Sequence, residues 1–262
     1  MKKTLTIIGS GWLGSHFLNQ YHTLFDFIVT TSLHSPAPQQ SSEHYHINIY
    51  DNQIPSLPST DICLVSIPFS RTLSDPNDYF LGIKKLIHQA PTYRTLIFTS
   101  STSIYAPKND WVDESSPINN TDRAKALHQT ESFLLEQANN VYILRISGIC
   151  GFSRNSMKKI TQDAVKDSNQ PVNLTHASDI NQIMAHLLTR ENKEKDIINV
   201  TSSTHPDRET YYRYLCQKFN LTPPIFTPSN HPFKKVSNKK LLSKYNIELM
   251  YPSPLTFEFD HD

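Results

Sequence analysis

The chain has 262 residues, 25 Lys and Arg against 24 Asp and Glu for a formal net charge of +1, and three widely spaced cysteines, Cys63, Cys150 and Cys216. That length fills one large domain or a domain with a small lobe, and the charge points to no nucleic-acid or acidic-surface partner. The cysteines lack metal or redox spacing and read as buried thiols of a reducing compartment. No apolar run approaches the ~20 residues of a membrane span, and the first one, about five residues, is too short for a signal peptide. The expected setting is the cytoplasm, with no membrane partner.

Thr4 to Ile8 is short, β-branched and apolar, as a strand buried on both faces requires. Gly9, Gly11 and Gly14 follow in GxGxxG spacing, and Trp12, Leu13, Phe17 and Leu18 then recur with helical periodicity. This is the pattern of a dinucleotide site. Gly9 allows the tight turn, Gly11 lets the backbone approach a pyrophosphate, Gly14 lets the helix pack on the strand, and the helix N-terminus favours the anion. The expected cofactor-binding residues here are Gly9, Gly11, Trp12, Leu13 and Gly14.

Phe27 to Thr31 reads as the second strand. At its tip, about 20 residues beyond the glycines, an NAD site usually places an acid for the ribose hydroxyls. The chain has Thr30, Thr31, Ser32, Leu33 and His34 there. Hydroxyls and a histidine suit a 2′-phosphate, so NADP is favoured over NAD, with Thr31 and Ser32 as the contacts. Tyr45 to Ile49 and Ile62 to Ile67 read as further strands, the latter ended by Pro68 at the carboxyl edge of the sheet. Tyr79 to Gln89 reads as a helix, Thr95 to Thr99 as a strand, Arg123 to Ala138 as a helix and Val141 to Ile146 as a strand. This alternation predicts an α/β fold with a doubly wound parallel sheet.

Beyond Ser147 the pattern loosens. Helices are expected over Met157 to Val165, Ser178 to Leu188 with Ser178 as N-cap, Pro206 to Phe219 with Pro206 in its first turn, and Asn238 to Lys244. Pro171 to Thr175 reads as extended and Ile197 to Val200 as a strand. The expected organisation is a dinucleotide-binding domain over residues 1–150, completed by 177–200, and a small substrate lobe from 151–176 and 201–262. Tyr211, Tyr212 and Tyr214 read as lobe packing. His44 and His46 alternate on a strand without a third ligand, so no metal site is expected.

The segments FTSSTSIY (Phe98 to Tyr105), WVDESSP (Trp111 to Pro117), LRISGICG (Leu144 to Gly151), VNLTHASDI (Val172 to Ile180) and KKVSNKKLL (Lys234 to Leu242) occur in one order along the chain. With the glycine loop they resemble the extended short-chain dehydrogenase/reductase superfamily, in its atypical, NAD-dependent epimerase/dehydratase-like branch. The resemblance implies a Rossmann sheet that binds NAD(P), with Pro68 and Ser100 beside the cofactor and Ser147 to Gly151 passing near the nicotinamide. It also implies a lobe closing over a small-molecule substrate. His176 and Asp179 match a segment at the lobe boundary, where an Asp at a helix start more often satisfies amides than reacts.

Active members of the superfamily use a serine or threonine, a tyrosine, and a lysine four residues after the tyrosine. The phenol exchanges a proton with the substrate oxygen, and a nearby ammonium lowers its pKa toward working pH. Ser101 fits the serine position. Aligning Glu131 with the acid of the following helix puts Arg123 at the tyrosine position and Leu127 at the lysine position. A frame shifted by two gives Thr121 and Lys125, but a threonine hydroxyl is too weak an acid. Tyr105, with Arg123 or Lys125 as its cation, is the expected substitute, its alternative being a hydrogen-bonded wall residue. Glu114 is an acid in a loop, and Cys150 reads as an inert thiol.

Two functions follow. One is an oxidoreductase or epimerase/dehydratase acting on a small polar or sugar-like substrate, with Ser101 and Tyr105 catalytic. The other is a catalytically silent NAD(P)-binding redox sensor. The partners these readings allow are a small molecule and a second copy of the chain in a homodimer.

Overall fold

The computed structural model describes residues 3–70, 72–89, 93–155, 164–190 and 193–260. In chain order its elements are β1 (Lys3–Ile8), α1 (Trp12–Tyr21), β2 (Phe25–Ser32), β3 (Glu43–His46), β4 (Ile62–Val65), α2 (Asn77–Gln89), β5 (Thr95–Ser101), β6 (Asp110–Val112), α3 (Asp122–Leu135), β7 (Asn140–Ile146), β8 (Gly148–Cys150), β9 (Val165–Lys166), β10 (Leu174–His176), α4 (Ala177–Leu188), β11 (Lys195–Val200), α5 (Arg208–Lys218), β12 (Phe226–Thr227), β13 (Lys234–Val236) and α6 (Lys239–Tyr245). Seven strands form one sheet in the order β11-β7-β5-β4-β1-β2-β3. The pairings of β1 with β2 and β4, of β2 with β3, and of β4 with β5 are parallel. The fold is therefore a doubly wound Rossmann sheet whose strand order reverses direction between β1 and β4.

The apolar runs read in the sequence are the middle of this sheet. Leu5, Ile7, Ile8, Val29, Val65, Leu96 and Leu144 are all fully or almost fully buried, as two covered faces demand. On one face α2 and α3 meet through an edge-on contact of Phe80 with Phe133, 6.0 Å between ring centroids. Among the described residues no helix is long and apolar enough to cross a membrane.

The chain divides into two compact units. The first holds residues 1–104, 118–145 and 181–197, and the second 105–117, 146–180 and 198–262. The placement of 105–117 differs from the expected division, because β6 pairs in parallel with β13, Asp110 opposite Lys234. The second unit has two more two-stranded parallel pairs, β8 with β10 and β9 with β12. Its core gathers Cys150, Val172, Tyr211, Leu215 and Phe257.

Several element ends differ from expectation for identifiable reasons. The helix α4 starts at Ala177, and Ser178 lies inside its first turn, donating its N–H to Nδ1 of His176 at 3.2 Å. Pro206 lies outside α5, whose cap is Asp207, accepting from the Thr210 N–H at 2.7 Å. The expected helix from Met157 lies, up to residue 163, outside the described residues, and Val165 begins β9.

Within the first unit a buried ion pair ties three elements. Arg145 on β7 donates Nε to both carboxylate oxygens of Glu131 on α3 at 3.1 Å, and Nη2 to Oε2 at 2.6 Å. Ser100 at the end of β5 donates its hydroxyl to Oε1 at 2.5 Å. Both charges are nearly inaccessible, 3% and 1% for the side chains. Removing one partner strands the other in a low-dielectric interior. Glu131→Ala should cost about 3–5 kcal/mol in urea unfolding, and an apolar replacement of both residues should recover most of it. Equal losses in the single and double variants would show that packing, not charge, sets the cost.

Candidate dinucleotide site

The turn from β1 into α1 is built as the glycine spacing requires. Gly9 has φ of +88°, and a Cβ there would lie 2.7 Å from the carbonyl oxygen of Ser66 and 3.0 Å from the Ile67 side chain. A Cβ on Gly14 would sit 3.2 Å from the Gly9 carbonyl oxygen and from Ile7, which is the close helix-to-strand approach. Gly11 is different: a Cβ there would meet no atom within 4 Å, and its backbone is extended at φ −69°. Neither packing nor conformation demands a glycine at this position.

Gly11 is also the N-cap of α1, with no side-chain cap and no acid in the first turn. The positive end of the helix is thus not neutralised by its own side chains, which suits an anion. Trp12 lies beside His16, edge-on at 4.7 Å. Leu13 is core, so only its backbone faces the turn.

Thr31 reaches the site by holding the loop. Its hydroxyl accepts the Gly9 N–H at 3.1 Å and its carbonyl accepts the Ser10 N–H at 2.7 Å and the Ser10 hydroxyl at 3.0 Å. At 2% exposed, Thr31 clasps the loop rather than offering a hydroxyl to a ribose. Ser32 is likewise engaged, donating to the Ser35 carbonyl at 2.6 Å and lying 3.1 Å from Nε2 of His44. Nδ1 of that histidine is 2.7 Å from the Thr30 hydroxyl, and burial, with His46 beside it, lowers its pKa. A neutral His44 therefore knits the tips of β2 and β3. His34 and His46 are the exposed basic groups there.

Pro68 is exposed just past β4, on the β4 side of the strand-order reversal. Ser100 is turned to Glu131, as described, and the half-buried Ser101 accepts the Ser103 N–H at 3.2 Å. Of the two frames for the missing tyrosine and lysine, the shifted one is a helix start. Thr121 caps α3 by accepting from Ala124, and Lys125 is an exposed partner of Asp122 at 3.7 Å. In the other frame Leu127 is core, and Arg123 stacks on Phe69 with its guanidinium carbon 4.8 Å from the ring centroid.

Tyr105 belongs to the second unit and is 0% exposed. Its hydroxyl donates to Oδ1 of Asn199 at 2.6 Å, while Asn199 donates its N–H to Glu114 at 2.7 Å and its amide to the Ser237 carbonyl at 3.1 Å. Lys234 donates to the Tyr105 carbonyl at 2.5 Å, and burial pulls its pKa down to about 8. The tyrosine expected as a proton donor is thus a buried knot of this unit, and Glu114, read as a loop acid, is part of it. Cys150 is buried with its sulfur 3.9 Å from the Tyr211 hydroxyl. Among the described residues no group of three His, Cys, Asp or Glu is placed to hold a metal.

His176 and Asp179 are satisfied by backbone. Nε2 of His176 donates to the Glu258 carbonyl at 2.9 Å, the ring centroid is 3.9 Å from that of Tyr251, and a Cβ on Gly151, at φ +112°, would lie 2.5 Å from it. Asp179 accepts the N–H groups of Met250 at 2.7 Å and Tyr251 at 3.3 Å. No signal in the sequence pairs residues 71 and 72 positions apart.

No family model matches the chain. It is 26% identical to Protein YeeZ of Escherichia coli K12, over 98% of this chain and 100% of that protein. Its fold is that of short-chain dehydrogenase/reductase and epimerase/dehydratase structures. A protein described as an NAD-dependent epimerase/dehydratase from Methylobacillus flagellatus superposes with a TM-score of 0.78 at 19% identity, covering 98% of this chain and 96% of that one. A short-chain dehydrogenase/reductase superfamily protein from Agrobacterium tumefaciens with bound NAD gives 0.79 at 15% identity, covering 95% and 93%.

Burial pushes the Asp179 carboxyl up to about 6 from 3.8, against the opposing pull of the two N–H groups. Between those values the folded chain holds a proton that the unfolded chain has released, so this contribution to stability falls as pH rises through the window. The stability of the protein minus that of Asp179→Asn should therefore decline by roughly 2–3 kcal/mol between pH 4 and pH 7. His176 titrates in both proteins and cancels in the difference. Parallel stability curves would mean that Asp179 stays ionised in the folded chain.

Proposed function

We propose that this protein is an NAD(P)-dependent enzyme of the short-chain dehydrogenase/reductase type, acting as an oxidoreductase or epimerase/dehydratase on a small polar or sugar-like substrate. The observation that carries the reading is Gly11. A glycine that neither the fold nor the backbone requires, capping an uncompensated helix N-terminus, fits a pyrophosphate lying against its backbone. The backbone from Gly9 to Gly14 would hold the diphosphate, with Thr31 keeping the loop in shape. Pro68 and Ser101 lie at the exits of β4 and β5, and Ser101 would hold a substrate oxygen. A bound nicotinamide would supply or accept hydride. NADP is the favoured form, because the β2 tip carries no acid and the exposed His34 and His46 are the groups able to meet a 2′-phosphate.

The commitment of Tyr105 to Asn199 favours a second reading, a dinucleotide-binding redox sensor without turnover. Calorimetric titration with NADPH, NADP, NADH and NAD, followed by oxidation of bound NADPH against a carbonyl panel, separates the two. Oxidation makes the protein an enzyme, tight binding without oxidation supports the sensor, and binding of none of the four removes both.

Gly11→Asp and Gly9→Ala should fail differently. Asp is a good N-cap, so Gly11→Asp should leave stability unchanged or raise it by a few tenths of a kcal/mol while a carboxylate against the pyrophosphate abolishes binding. Gly9→Ala forces a Cβ onto the Ser66 carbonyl at positive φ and should destabilise by roughly 1–3 kcal/mol. Dinucleotide binding by a well-folded Gly11→Asp protein would place the cofactor elsewhere.

A further inference from the structure

Arg123 opens α3 and stacks on Phe69, which directly follows Pro68 beyond β4. The Phe69 ring lies 4.9 Å from Tyr79, and the Tyr79 hydroxyl donates to the Ile67 carbonyl at 2.8 Å. Cation, ring and ring are thus pinned to the segment leaving β4, beside the point between β1 and β4 where the strand order reverses. Ligands of open α/β sheets bind outside the carboxyl ends of the strands at that point.

The chemistry of an arginine there is restrictive. A guanidinium stays charged at any working pH, so it can replace neither the proton transfer of a phenol nor that of a general base. What it does well is bind carboxylate or phosphate through paired in-plane N–H groups, while its face stacks on an aromatic ring. With five donors it can serve a protein partner and an incoming oxyanion together. Arg123 and Phe69 are both half-buried, which strengthens an ion pair over one in bulk water.

We propose that Arg123 is the specificity-determining residue of the substrate site, that it binds a carboxylate or phosphate group, and that the substrate is accordingly an anionic hydroxy or carbonyl compound. The proposal rests on the dinucleotide-enzyme reading for its substrate, but not for its anion.

The test is calorimetry on the dinucleotide-saturated protein and on the free protein, using matched probes: lactate against lactamide, and glucuronate and glucose 6-phosphate against glucose. At least one anion should bind about tenfold or more tightly than its neutral partner. Carboxylate probes and the phosphate ester then distinguish the two sources of charge. Arg123→Met should abolish the preference while leaving dinucleotide affinity unchanged. Arg123→Lys keeps the charge and the ring contact but not the paired donors, and should lose most of it. The melting temperature of each variant reports on folding. Equal binding of anions and neutral partners, no anion binding at all, or a preference surviving in a folded Arg123→Met protein would overturn the proposal. If no dinucleotide binds yet the free protein prefers anions through Arg123, the proposal stands and the cofactor reading fails.

Discussion

The structure depends on one close approach, that of the Gly9 backbone to the backbone of Ser66. No side chain fits in the gap, and the positive φ of Gly9 directs the chain from β1 straight into α1. Several contacts rely on this turn. Ser66 donates its N–H to the Ile8 carbonyl at 2.7 Å, continuing the β1–β4 pairing past the strand ends, and Ser10 and Gly9 are fastened to Thr31 on the opposite neighbour. The turn is therefore gripped from both adjacent strands. A loop that must present its peptide groups to a diphosphate without reorganising needs this kind of restraint, because whatever ordering is built into the fold is not subtracted from binding.

The same clasp explains why the β2 tip was legible only in part. Strand periodicity identified Thr31 and Ser32 as tip residues, and the absence of an acid there is a fact of the sequence. Which hydroxyls point outward is not, because it depends on partners 12 to 22 residues away: Gly9 for Thr31 and His44 for Thr30 and Ser32. Apolar alternation is a local property and survives reading in one dimension. Hydrogen-bond choice among Ser, Thr and His is settled by what the sheet brings alongside.

The fold and the glycine turn were plain for that reason, and the polar interior was not. Glu131 was usable in the sequence only as an alignment mark, yet it is the centre of a buried cluster joining β5, α3 and β7. Its role is visible once Arg145 and Ser100 are seen around it. The helix α5 begins after Asp207 and not with Pro206 in its first turn, because the Asp207 carboxylate accepts the Thr210 N–H and so sets the start, whereas proline only tolerates one. Tyr105 is the sharpest case. Its position after Ser101 suggests chemistry, but 94 residues later Asn199 completes a network with Tyr105, Glu114 and the Ser237 carbonyl inside the second unit.

Tyr105 is occupied and Leu127 is core, so on the proposed reading a dinucleotide on the glycine turn would lack the phenol and ammonium that move the proton in active short-chain dehydrogenases. Arg123, in the role proposed for it, would not restore that pair; it would change what the site can hold. A phenol recognises the oxygen being reduced or oxidised, and its worth depends on its pKa. A stacked guanidinium recognises charge and geometry at any pH, and its worth depends on the substrate carrying an oxyanion. A fixed cation also favours negative charge that develops on a substrate oxygen, so it can assist hydride transfer without donating a proton. In such a reaction the proton would come from water or from the substrate itself. If the protein is an enzyme, that requirement would favour slow, substrate-dependent turnover over the general alcohol chemistry of a tyrosine–lysine enzyme.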